Sequence, residues 1–203
     1  MIRKRGYTLK RRAENQADTR RRIVEATIAL HTEVGPLRTS ISAVADRAGV
    51  QRHTVYAHFP TERELYMACS GLGLERDPLP DERLWLAILD PEVRLRNGLS
   101  DIYAWFARNA DMAACVMRDA EVDLLTREIV QLRIGKRMEA FHGALARGFR
   151  SSPGLKAALG LALSFHTWRS LVKDGGLSNN AAVELMVRAV SSLSRSPNRA
   201  GRN

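Results

Sequence analysis

The chain has 203 residues, 45% of them hydrophobic and 27% charged, with a formal net charge of +10. This composition fits a soluble globular protein, and the length suits one domain of ordinary size or a small one beside a larger one. No apolar run reaches the roughly 18 residues of a transmembrane helix. No apolar segment follows the basic amino terminus to make a signal peptide, so a cytoplasmic protein without a membrane partner is expected. Cys69 and Cys115 offer neither metal-ligand spacing nor a disulfide framework. They are expected as small buried apolar residues, with a redox pair as the alternative, and no metal or cofactor is predicted.

The charge is unevenly placed. Residues 1–22 hold nine basic groups against Glu14 and Asp18, net +7; residues 23–60 are neutral overall; the remainder is net +3. Residues 1–17 carry few apolar groups and no period, which predicts a disordered basic arm. Such an arm can lie along phosphates or enter a minor groove; a solvated tail is the alternative. A helix is predicted from Asp18 or Thr19 to about Val34, with Ile23, Ala26, Leu30 and Val34 as its core stripe and Gly35-Pro36 as its end.

Thr39 to Phe59 then reads as two short helices around a tight turn. Ile41, Val44, Ala45 and Ala48 fall at i, i+3, i+4 and i+7, one apolar stripe of a helix. Thr39 or Ser40 can cap its start. Gly49 can end it in the left-handed conformation. Val55 resumes a buried face, and Gln51, Arg52, His53, Thr54, Tyr56 and His58 are a dense set of hydrogen-bonding groups around it. An αα-hairpin in an ordinary core is the plainer reading, but a packing helix needs no such set. The spacing of Ala45, Gly49 and Val55 fits a helix-turn-helix, whose second helix enters the DNA major groove.

Residues 19–66 resemble the amino-terminal domain of the TetR-type transcriptional regulators. The residues that carry the resemblance are Arg22-Ile23-Val24-Glu25-Ala26, Leu30, Gly35, Thr39-Ser40-Ile41, Val44-Ala45, Ala48-Gly49-Val50, Thr54-Val55-Tyr56, His58-Phe59-Pro60 and Glu64-Leu65. The resemblance implies a three-helix DNA-binding domain, a helical effector-binding and dimerisation domain, and repression relieved by a small molecule. By match to the motif, Thr39, Arg52, Thr54, Tyr56 and His58 would contact DNA. Ser40, Gln51 and His53, with Arg20 and Arg21 on the first helix, complete the candidate DNA-facing set. The sequence departs from the family pattern in four places. Gln51 replaces the usual serine cap, although glutamine can pair with adenine. His53 stands where a small residue is common, Glu62 where a lysine often reaches a phosphate, and His31 where phenylalanine is usual.

Pro60 breaks the chain, and Thr61-Glu62-Arg63-Glu64 is a capping box for a fourth helix through Leu72. This helix would link the two domains, so its tilt would set the reading heads. After the break at 76–80, a short helix is predicted over Asp81 to Leu89, and Asp90-Pro91 starts a long one. Further helices are expected over Ala110 to Asp119, Asp123 to Phe149, the nearly continuous apolar run Leu155 to Val172, and from Ser178 onward. No strand pattern appears, so the fold class is all-α. The expected domains are the arm 1–17, a helix-turn-helix domain 18–60, a helical effector-binding and dimerisation domain 61–194 and a polar tail 195–203.

A helix apolar on nearly every side is buried by more than its own domain. Segments 155–172 and 179–193 are therefore expected to pair two chains as a two-fold homodimer, with a central helix of a monomeric core as the alternative. Trp85, Trp105, Phe106, Met117, Phe141, Phe165 and His166 are the candidate lining of an effector pocket, and His166 and Arg169 are expected to need buried partners. No Gly-rich phosphate loop, zinc pattern or nucleophile elbow appears, so an enzyme is not expected. The function predicted is a sequence-specific DNA-binding regulator, a repressor released from a palindromic operator by a small apolar or amphipathic effector. A sequence-indifferent DNA-coating protein driven by the arm, or a regulator without an effector, are the alternatives.

Overall fold

The computed structural model describes residues 3–194, and side chains from 11 to 193. Its helices are α1 (Arg3–Glu33), α2 (Ile41–Ala48), α3 (Arg52–His58), α4 (Glu62–Arg76), α5 (Glu82–Leu86), α6 (Pro91–Arg108), α7 (Ala110–Ala120), α8 (Leu124–Val130), α9 (Lys136–Ala146), α10 (Pro153–Ala162), α11 (Phe165–Arg169) and α12 (Asn179–Ser194). Among the described residues there is no strand, and the all-α class holds. The chain forms two compact units, one of residues 1–78 with 111–133 and one of 79–110 with 134–203.

In the first unit α1 packs on α2 and α4, α2 on α3, and α4 on α8. The core holds Ile23, Ala26 and Leu30 of α1, Val44, Ala45 and Ala48 of α2, and Val55 of α3. Phe59, Leu65, Tyr66, Cys69 and Ile129 complete it. The caps follow from local chemistry. Ser40 Oγ accepts from the Ala43 amide at 3.1 Å, and Thr61 Oγ1 accepts from the Glu64 amide at 3.2 Å. Gly49 ends α2 at φ 64°, ψ 42°, a left-handed conformation that costs glycine little. The Asp90 carboxylate accepts from Val93 N at 2.8 Å, with Pro91 in the first turn of α6.

The structure departs from the sequence expectation in several elements. The segment expected as a disordered arm is helical from Arg3 onward and continues α1. It has no proline and is rich in Arg, Lys, Leu, Ala and Gln, which favour helix; the buried turns from Ile23 supply the nucleus, so elongation toward the amino terminus is cheap. Val34 lies outside α1 and is exposed rather than in its core stripe. The helix expected over 123–149 has a π-helical stretch at Gln131–Gly135. The run 155–172 is not one helix: Ser164 takes extended backbone angles (φ −77°, ψ 130°), α11 starts anew after it, and a second π-helical stretch covers Ser170–Asp174. The polar tail 195–203 lies outside the described residues.

The second unit packs α6 against α12, α9 and α5, and α10 against α12 and α9. Trp85, Leu95, Leu99, Tyr103, Phe141, Leu145, Leu159 and Trp168 are fully buried. Their polar edges find partners: Trp85 Nε1 donates to Asp101 at 2.7 Å, Tyr103 Oη to Ala162 O at 3.1 Å, and Trp168 Nε1 to Asn179 at 3.0 Å. Arg94 is buried, and its guanidinium donates to the carbonyls of Ile88 and Arg147.

His31 is a buried polar residue in the core of the first unit. It is 3% exposed, meets the Tyr66 ring edge-on at 4.7 Å, and its Nδ1 lies 3.6 Å from Cys69 Sγ. Burial lowers its pKa from 6.5 to about 4 against a weaker opposing pull from Asp119, and burial pushes the Cys69 thiol up to about 12. Both groups are therefore neutral near pH 7. The fold favours neutral imidazole, so the unfolded chain takes up the proton first as pH falls through 6.5. Unfolding free energy should drop by up to about 3 kcal/mol as pH falls from 6.5 to 4. Denaturant titrations at stepped pH read this slope. His31→Phe should lose it, and equal slopes in the two proteins would show that the imidazole is not its source.

Candidate nucleic-acid interface

Helix α3 has seven residues, too few to hold together in water without tertiary packing. Val55, 0% exposed, and Phe59, 1% exposed, fix it to the core. Gln51, Arg52, His53, Tyr56 and Ala57 are exposed, and Thr54 and His58 are half-buried at the flanks of that face. Helical geometry explains most of the set: 53 and 57 lie opposite Val55 and 56 about a quarter turn from it, whereas Arg52 is exposed as the first residue of the helix. Gln51 occupies the cap position with extended backbone (φ −85°, ψ 154°), but its side chain makes no capping hydrogen bond. The amide of that side chain is therefore not consumed by the start of α3.

The residues before α2 are placed differently. Ser40 uses its oxygen as an acceptor for Ala43 N, and its own hydroxyl hydrogen remains available to an outside acceptor. Thr39 is half-buried, and its hydroxyl donates to Gly35 O at 2.8 Å.

The three arginines of α1 divide into separate roles. Arg20 lies with its guanidinium 4.1 Å from the centroid of the Phe59 ring and donates to His58 O at 3.0 Å. That carbonyl closes α3, where a cation is favoured by the helix dipole. Arg20 thus holds the end of the recognition helix rather than standing free for DNA. Arg21 is exposed and pairs with Asp18 at 2.6 Å. Arg22, absent from the sequence-derived set, donates from Nη2 to Ala48 O and, at 3.2 Å, to Gly49 O. It braces the turn between α2 and α3. A Cβ at Gly49 would stand 2.9 Å from that nitrogen, so glycine serves both the backbone angle and the arginine's approach. No periodicity reveals this contact, because it spans 26 residues.

Residues 11–18 are exposed along α1, and Gln16, Ala17 and Arg20 line a shallow groove with Ala57 and His58 of α3. Electrostatically the extension is unusual. Its first turn carries no acidic residue.

Of the expected effector-lining residues, Met117 belongs to the first unit, on α7, and the other six belong to the second. Within the second unit Trp85 packs on Phe141 at 5.0 Å. Phe106 joins Trp105, Phe165 and Trp168 at 6.0, 5.5 and 5.9 Å. His166 and Arg169, expected to be buried, are exposed, because the new start at Ser164 sets Phe165 and Trp168 inward instead. Among the described residues no cluster of three or more His, Cys, Asp or Glu could hold a metal ion, and no helix is long and apolar enough to cross a membrane.

The family model of the bacterial regulatory proteins of the tetR family matches residues 23–69, which run from the first buried residue of α1 into α4. Over this segment the chain is similar to the TetR-type regulators. It is 30% identical over 106 residues, 52% of each chain, to the HTH-type transcriptional repressor KstR of Mycolicibacterium smegmatis. The match therefore spans about half the length of that curated relative. Two solved structures share the fold. FadR of Bacillus subtilis, in complex with stearoyl-CoA, is 16% identical with a TM-score of 0.60, covering 84% of this chain and 97% of its own. AibR, in complex with isovaleryl coenzyme A and operator DNA, is 19% identical with a TM-score of 0.61, covering 83% and 96%.

The Arg22 brace gives a direct expectation. Arg22→Met should lower stability by about 1 kcal/mol, which for a chain of this size is a fall in Tm of roughly 2–4 °C. A thermal melt followed by circular dichroism reads it, and an unchanged Tm would show that the turn stands without the arginine.

Proposed function

We propose that this chain is a sequence-specific DNA-binding transcriptional regulator of the TetR type. It acts as a two-fold homodimer, a repressor that a small apolar or amphipathic effector releases from a palindromic operator. The observation that carries the reading is the exposed polar face of α3, anchored from behind by Val55 and Phe59. A helix held in this way can enter a major groove with base-reading groups foremost. Gln51, Arg52, His53 and Tyr56 are assigned to the duplex directly, with Thr54 and His58 at the edges of the contact and Ser40 and Arg21 on phosphates; Thr39, whose hydroxyl and amide donate to Gly35 O and Pro36 O, is assigned to placing Ser40. Arg20 is assigned to holding α3. The relatives support this reading: KstR is named a repressor, and AibR was crystallised on operator DNA.

The extension of α1 supplies the sequence-independent share. Residues 1–22 carry net +7, and the helix from Arg3 to Ala17 reaches about 22 Å beyond the folded turns. A polyanion that binds these charges releases counterions.

For the dimer, the supporting surface is the uncovered side of α10 and α12, where Ala157, Gly160, Leu161, Leu185, Ala189 and Leu193 are exposed. Small residues there permit close helix approach, and a second copy would cover the leucines. For the effector, the aromatic groups of the second unit favour an apolar ligand. FadR and AibR were crystallised with acyl-coenzyme A thioesters, which makes that amphipathic class the first to test on this chain.

Two measurements test the interface. Equilibrium binding to a duplex across a salt series should show Arg52→Ala weakened on all sequences, with the salt slope reduced by about 1 if the group meets a phosphate. Loss at a single base position would instead make Arg52 a base reader. Removal of residues 1–17 should leave site preference intact and lower the salt-dependent affinity. Loss of nearly all binding would favour the coating protein.

A further inference from the structure

The loop that leads into the helix-turn-helix is gripped by residues far away in sequence. Val34 O accepts from Arg118 Nη2 at 2.8 Å. Leu37 N donates to Asp119 Oδ2 at 2.9 Å. Pro36 O accepts from Tyr66 Oη at 3.0 Å. Arg118 Nε closes the arrangement on Asp119 Oδ1 at 2.8 Å. Four consecutive residues, Val34 to Leu37, are thus fixed by the last turn of α7 and by α4. Asp119 is 2% exposed, so its charge is out of water and must be met by these donors. Gly35 has φ 94°, and a Cβ there would collide with the Asp119 carboxylate and the Arg118 guanidinium. The carboxylate seats against the loop backbone only because that residue is glycine.

The loop is where the proposed phosphate contacts begin. Thr39 N donates to Pro36 O at 3.0 Å, and the Thr39 hydroxyl to Gly35 O at 2.8 Å. Ser40 caps α2 immediately afterwards. A shift of Gly35 or Pro36 therefore moves Thr39 and the start of α2 with it. The base of α7 is tied to α1 as well: Thr32 Oγ1 donates to Met112 Sδ at 3.8 Å, and Cys115 Sγ donates to Thr32 O at 3.5 Å. Helix α7 is the first element of residues 111–133, the stretch that belongs to the same compact unit as α1 to α4.

We infer that Arg118 and Asp119 form a positioning clamp that sets Thr39 and the amino terminus of α2 for duplex binding. The clamp acts through the Val34–Leu37 backbone and touches no DNA itself. This rests on the reading of the chain as a duplex-binding protein. It makes α7, beside α4, an element whose position governs the reading head.

The test uses the full-length chain and a duplex selected from random sequence, with single phosphates replaced by neutral methylphosphonates. The wild type should lose affinity at each contacted phosphate, including one per half-site that Ser40→Ala makes indifferent. Asp119→Ala and Arg118→Met should bind the unmodified duplex about tenfold more weakly, the loss of about one charge-assisted hydrogen bond. They should be indifferent to methylphosphonate at that same phosphate and remain sensitive at those set by Arg52. Asp119→Asn keeps an acceptor for Leu37 N and should fall between; if Asp119→Ala does not fold, Asp119→Asn and Arg118→Met decide. Variants that bind as the wild type does, or bind weakly with every phosphate sensitivity retained, overturn the clamp alone. A wild type without preference for any duplex overturns both the clamp and the reading beneath it.

Discussion

The burial of Val55 and Phe59 beneath α1 and α2 is the interaction on which the rest of the head depends. A seven-residue helix has too few internal hydrogen bonds to offset its nucleation cost. Its order is supplied from behind, by Ile23, Val44 and Ala45, and the face in front is left free to be polar. Arg20 at the end of α3 and Arg22 at the turn before it add directional bonds to this apolar seat. Arg20, expected from the sequence as a DNA contact, and Arg22 are both engaged within the head.

The same logic explains which parts of the fold were legible in the sequence. Ser40, Gly49, Thr61, Asp90 and Pro91 act within a turn of their own position, so residue type and spacing suffice to place them. The stripe Val44, Ala45, Ala48 and the buried Val55 follow from helical period alone. Contacts between residues distant in sequence leave no such trace. Arg22 on Gly49, Arg94 on the carbonyls of Ile88 and Arg147, and Asp119 on Leu37 each join separate elements, and none has a local pattern. The new helix start at Ser164 was hidden for another reason: an apolar run offers no punctuation, and only the packing of Phe165 and Trp168 shows where the phase resets. The helical course of Arg3 to Ala17 was missed because charge and lack of period suggested disorder, whereas continuity with an anchored helix decided the outcome.

His31 shows how a departure from the family pattern is absorbed. An imidazole replaces the usual phenyl ring in the core, and it remains there because it stays neutral, stacked edge-on against Tyr66 and close to the Cys69 thiol. Tyr66 in turn holds Pro36 O. The polar residues of this core therefore lie next to the loop that leads into α2, where α1 and α4 pack together.

The central claim is that two copies of this head read a duplex by sequence. Selection of bound molecules from a pool of random duplexes by the purified chain at near-physiological salt tests it most directly. The account predicts enrichment of an inverted repeat whose two halves are spaced for major grooves on one face of the helix. A pool that emerges without any enriched sequence would contradict it.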